Sequence, residues 1–111
     1  MKKIAFTVLV GCALGLPSLD AALYKGQKLY VMKCRSCHGL GQVFITSKTQ
    51  AEWTALMKNN GARIVNIHLK SDEAAETHDY FKGDGWKRNS RHIREFMIEY
   101  AADSGNIPAC E

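Results

Sequence analysis

Cys34-Arg35-Ser36-Cys37-His38 is the stretch on which the reading of the whole chain turns. Two thiols three positions apart, followed at once by an imidazole, suit one prosthetic group best. The thiols can reach the two vinyl groups on neighbouring pyrrole rings of a haem and form thioethers. The histidine directly after the second thiol is then held beside the iron as its proximal axial ligand. Arg35 and Ser36 have no ligand role in this scheme. The expectation is one covalent haem c, attached through Cys34 and Cys37 with His38 on the iron.

Three other readings compete. A dithiol redox pair also uses C-x-x-C, but it belongs in a βαβ setting that the flanking sequence lacks. A zinc site needs four ligands, and only Cys110 and scattered histidines could complete one. A disulfide between Cys34 and Cys37 would close a very small loop and leave His38 without a task.

Working outward, the N-terminal stretch reads as separate from the fold. Lys2 and Lys3 precede an uncharged apolar run over residues 4–16. Pro17, Ser18, Asp20, Ala21 and Ala22 end it with small and polar residues. This is the layout of a secretory signal peptide, and the run is short for a bilayer span. We assign residues 1–22 to that signal and residues 23–111 to a single domain, with export to the periplasm. Removing 22 of 111 residues leaves 89. Leu9-Val10-Gly11-Cys12 resembles the lipobox of bacterial lipoproteins, so membrane anchoring enters only if Cys12 is lipidated. Leu14 and Leu16 extend the apolar run past Cys12, which favours the soluble form. Cys110 is left over once the haem takes two thiols, and is expected to be a quiet buried thiol.

The whole chain is 46% apolar and 23% charged, as in ordinary globular proteins. Without Lys2, Lys3 and Asp20 it carries 13 basic against 10 acidic side chains. That surplus, with no basic run interleaved with aromatics, gives no case for nucleic acid. The charges segregate, however. Asp72, Glu73, Glu76 and Asp79 cluster, and Lys82, Lys87, Arg88, Arg91 and Arg94 follow. The two groups read as solvated faces, and the basic one also as a docking patch for redox partners.

Apolar spacing predicts helices over residues 23–33, 49–60, 71–81 and 91–102, and no sheet. Thr49 and Glu52 form a capping-box pattern. Asn59-Asn60-Gly61 is a stop signal, after which the helix can resume to Ile67. Ser71 is placed to cap the third helix. Gly83, Asp84 and Gly85 predict a loop over residues 82–90. Four short helices enclose little apolar volume, so a cofactor at the centre is expected.

Taken with Gly26 and Tyr30 on the first helix and Phe96 and Tyr100 on the last, Cys34–His38 makes the chain resemble the class I c-type cytochromes. The resemblance covers the mature region. It implies an all-α, cytochrome c-like fold of three to four short helices wrapped around one covalently bound haem. It also implies a contact between the first and last helices at Gly26, Tyr30, Phe96 and Tyr100. The family usually takes its sixth iron ligand from a Met in the loop before the last helix; here residues 82–90 contain neither Met nor His. His68, read as part of a connector, is the preferred substitute, because imidazole binds haem iron well. Met57 is the alternative, in a Trp53, Met57, Gly61, Ala62 pattern similar to that of some small cytochromes. Met97 reads as core, Met32 as tied to the attachment side, and His78 and His92 as surface.

The resulting expectation is a periplasmic carrier of single electrons, working by outer-sphere transfer, with the porphyrin buried against Trp53, Tyr30, Phe44 and Phe96. The alternative is a haem-based small-ligand binder or sensor with an open or labile sixth position. No nucleophile–base–orienter set supports an enzyme, and peroxidase chemistry at an open iron is the only catalytic route left.

Overall fold

The computed structural model describes residues 18–108. Most of the assigned signal, Cys12 and Cys110 lie outside them. Among the described residues the chain is helical throughout, with no strand, as the apolar spacing predicts. No helix there is long and apolar enough to cross a membrane.

Helix α1 (Ser18–Lys33) leads into the short helix α2 (Arg35–His38), which carries the second thiol and the imidazole. Helix α3 (Gly41–Phe44) and a 3-10 turn (Ile45–Ser47) follow. Helix α4 (Gln50–Leu56) starts at the expected capping box: Thr49 accepts from the Glu52 amide, and the Glu52 carboxylate accepts from the Thr49 amide.

The segment called α5 (Lys58–Leu69) opens with three consecutive left-handed residues: Asn59 (φ 54), Asn60 (φ 57) and Gly61 (φ 71). Asparagine and glycine tolerate this region best. The stop signal is therefore a turn, and the helix resumes beyond it to Leu69.

Two expectations need correction downstream. The expected third helix is a 3-10 stretch (Asp72–Thr77) followed by the short helix α6 (His78–Lys82), and Ser71 makes no side-chain cap hydrogen bond. The expected loop over residues 82–90 is largely helical: α7 runs Asp84–Glu99. Gly83 is the extended break, and one turn later Trp86 is buried at 4% exposure, packed on Phe81 with ring centroids 4.9 Å apart. Burial of an indole outweighs the weak helix propensity of Gly85.

The most extensive helix–helix contact is between α1 and α7. Gly26 makes it possible. A Cβ there would collide with the His92 backbone carbonyl and lie 2.7 Å from the Phe96 Cβ. Tyr30 and Phe96 are fully buried at the same contact, with ring centroids 5.9 Å apart. Further along, Trp53 donates its indole N–H to the Ile45 carbonyl at 2.9 Å and closes the core from the α4 side.

Gly26→Ala is expected to lower stability by roughly 2 kcal/mol or more, as forced overpacking against backbone does. Chemical denaturation would check it; an unchanged midpoint would show that the helices can separate freely.

His92, read from sequence as surface, is only half-exposed, and its Nδ1 is buried without a partner. Burial holds its pKa below the ordinary imidazole value; Lys25 across the contact and Arg91 add to this, and Glu95 opposes it. The unfolded chain therefore binds a proton more readily than the folded one. This contribution to stability is complete above about pH 6.5 and is lost as pH falls below it. His92→Gln should flatten that part of the stability–pH curve in urea titrations.

Candidate functional site

Cys34, Cys37, His38 and His68 line one cavity of about 440 Å³. That volume falls in the range of small-molecule and cofactor sites. Phe44, Trp53, Ile64, Phe81, Trp86 and Met97 form much of its apolar wall. Tyr30 and Phe96, expected against the porphyrin, sit instead in the α1–α7 contact behind the wall.

Local structure explains the placement of the motif. The Cys34 amide donates to the Tyr30 carbonyl at 2.8 Å, so the first thiol is the last turn of α1 carried on. The His38 amide donates back to the Cys34 carbonyl at 3.0 Å. Gly39 then turns the chain at φ 83, and the Tyr30 hydroxyl donates to its carbonyl at 2.6 Å. The α1 core residue thus fixes the exit from the histidine.

Both cysteines are free thiols. Burial, and secondarily the neighbouring Cys37, pushes the Cys34 thiol up to about 12. Dithiol redox sites work by lowering a thiol pKa, so this environment runs the other way.

His38 stacks on Phe44, with ring centroids 4.2 Å apart. Its pKa lies below the ordinary value, through partial burial first and the His68 ring second. That favours the neutral imidazole, the form that ligates metals.

His68 faces it, with ring centroids 6.0 Å apart and planes at 73°. A metal-bound imidazole nitrogen lies about 2 Å from its ion. Two imidazoles on opposite sides of one ion therefore have ring centroids about 6 Å apart. The observed separation is compatible with that spacing, and it also falls within the range of ordinary ring packing.

The connector assigned to His68 is in fact the last turn of α5. The helix gives a more defined orientation than a connector would. His68 Nδ1 is 2.7 Å from the Ile64 carbonyl, which takes up an Nδ1–H and leaves Nε2 with a lone pair. Phe81 stacks on the ring at 4.4 Å.

His78 was read as surface and is half-buried. Its Nε2 lies 2.9 Å from the His68 carbonyl and 3.0 Å from the Ser71 carbonyl. One N–H shared between the two ties α6 to the end of α5, so His78 positions the His68 turn. Its acidic sequence neighbours gave no sign of this.

Met57, the alternative ligand, is 2% exposed and lines a different cavity. Its sulfur would lie 3.3 Å from a Cβ at Gly61. Met97 does reach the first cavity wall, from the apolar stripe of α7.

Donor chemistry decides what this constellation can hold. Among the described residues no group of three His, Cys, Asp or Glu converges on a metal position. A bare ion such as zinc asks for three or four protein donors. Haem brings four nitrogens of its own and, when covalently attached, would ask the protein for two rim thiols, one or two axial donors and an apolar slot. His38, His68, Cys34, Cys37 and the aromatic wall fit those needs.

No family model, curated protein or solved structure matches the chain.

His78→Ala should loosen the His68–Ser71 turn. We expect faster amide hydrogen exchange over residues 68–74 and a loss of about 1–3 kcal/mol, the scale for partly buried groups left unpaired. Unchanged exchange there would remove the positioning role.

Proposed function

We propose that the chain is an exported monohaem c-type cytochrome carrying single electrons between redox partners. The observation that carries this reading is the approach of His38 and His68, 6.0 Å apart across a cavity that also holds both thiols of the motif. The haem, when bound, supplies a reversible one-electron couple.

The chain's own residues do the rest. Cys34 and Cys37 would anchor the group, and His38 and His68 would supply nitrogen donors to it. His68 is held by the Ile64 carbonyl and Phe81, and His38 by its stacking on Phe44, so little on the protein side would have to move when the charge changes. Phe44, Trp53, Phe81 and Trp86 exclude water. Lys33 and Lys48, at the cavity boundary, supply positive charge to the acidic edge of the group. Lys82, Lys87, Arg88, Arg91 and Arg94 are all exposed. All but Lys82 lie on α7, which suits brief docking to an acidic redox partner.

A ligand-binding or sensing role would need the sixth position to be open or easily vacated. His68, held by Ile64 and Phe81, weighs against it.

Spectroscopy of the exported protein tests the reading. Colour should survive acid–acetone extraction, and both oxidation states should be low-spin. The ferrous form should show no rapid change with carbon monoxide. His68→Ala should bind carbon monoxide at least ~10-fold faster, because an axial donor is gone. Met57→Ala should leave the spectra as they are. Complete extraction of colour would end the haem proposal. A near-infrared sulfur-to-iron band that disappears in Met57→Ala would replace His68 by the thioether.

A further inference from the structure

A second cavity, of about 320 Å³, lies between α4, the left-handed turn and α7. We propose that it binds a small multivalent oxyanion of the phosphate class, a property independent of any haem.

Its charged lining is all of one sign. Lys58, Arg91 and Arg94 border it, and no carboxylate does. Among the described residues, no ion pair or side-chain hydrogen bond engages these three cations. Three positive groups around one small cavity repel one another within a Debye length. A concave, cationic site of this kind concentrates anions.

Donor chemistry narrows the ligand. Lysine and arginine offer donors and no acceptor. The planar arginine fork matches two oxygens of a phosphate or sulfate at once. The Thr54 hydroxyl proton is committed to the Gln50 carbonyl at 2.8 Å, so the main donors left are the cations and the Asn59 and Asn60 amides. A ligand made only of acceptors, with more than one negative charge, fits this set. The volume sits at the small-molecule end of binding cavities, which favours a compact ion over a polypeptide segment.

The site is built into the fold. Asn59 and Asn60 hold positive φ in sequence beside Lys58. The Trp86 indole donates to the Asn60 carbonyl at 2.7 Å and fixes that turn against α7. Ser90, 2% exposed and directly before Arg91, forms part of the lining. Arg91 and Arg94 then sit one turn apart on one flank of the helix, opposite Lys58.

The full exported chain can be titrated with inorganic phosphate at constant ionic strength, with chloride as the exchanged anion, while backbone amide shifts are followed by NMR. We expect saturable shifts concentrated at residues 58–60 and 90–94. Pyrophosphate should bind more tightly than phosphate. The double variant Arg91→Gln, Arg94→Gln should weaken binding about 10-fold or more, as loss of charged hydrogen bonds does. Lys28→Gln, exposed on α1, should leave it unchanged. Should the double variant not fold, Lys58→Gln is expected to show the same loss in lesser degree. Non-saturating shifts spread over all surface cations would overturn the proposal, as would equal weakening in Lys28→Gln and in the cavity variants.

Discussion

The close approach of α1 and α7 at Gly26 sets the frame for everything else. With no side chain at that position, the α1 backbone lies against the His92 carbonyl, and Tyr30 and Phe96 fill the space on either side. Two consequences follow from this one contact. The C-terminal end of α1, where Cys34 begins the motif, is fixed in direction. The N-terminal turns of α7, where Trp86 and Ser90 are buried, are fixed relative to it. The thiols and the indole then face the same interior. The remaining elements are too short to fill that interior, so a cavity stays open among aromatic walls. A small helical chain with an open centre lacks the apolar burial that stabilises larger domains. A rigid aromatic group placed there would restore it.

Sequence reasoning saw the parts of this that depend on local chemistry. The motif at Cys34–His38, the capping box at Thr49 and Glu52 and the stop at Asn59-Asn60-Gly61 announce themselves by residue type and spacing, and the contact of Gly26 with the last helix is what the resemblance implies. It missed the elements decided by tertiary packing. Gly83, Asp84 and Gly85 read as a loop because two glycines flank an aspartate. Trp86 overrides them by inserting its ring beside Phe81 and Tyr80. A tryptophan in a supposed surface loop was the available signal, since an indole seldom goes without burial. His78 was hidden for the opposite reason. Its neighbours in sequence are acidic and solvated, while its own ring turns inward to two backbone carbonyls that no sequence pattern reveals.

The preference for His68 over Met57 rests on reading His68 as part of a connector, whereas the structure places it in a helix. His68 is helical, and its orientation comes from the Ile64 carbonyl behind it and from Phe81 on its face. Met57 shows what the alternative lacks. It lies at the junction of α4 with the left-handed turn, close against Gly61 and away from the two thiols. A Cβ at Gly61 would meet both this sulfur and the Trp86 ring, so the glycine, the methionine and the tryptophan form one packed unit. The Trp53, Met57, Gly61, Ala62 pattern is thus accounted for by packing.

The same unit separates the two cavities. Trp86 lines the first and, through its indole N–H, holds the turn that borders the second; Met57 lines the second. Arg91, Arg94 and Lys58, which border the second cavity, are exposed to solvent. Between such exposed groups and the centre, water and salt screen the interaction, so any coupling is modest and weakens with ionic strength. Under the two proposals taken together, an anion in the second cavity would favour the oxidised, more positive state of the group in the first. Ligation by His38 and His68, if the proposal holds, would work in the same direction, because it is thioether ligation that raises haem potentials. Under those proposals both features would move the carrier toward the reducing end of its class.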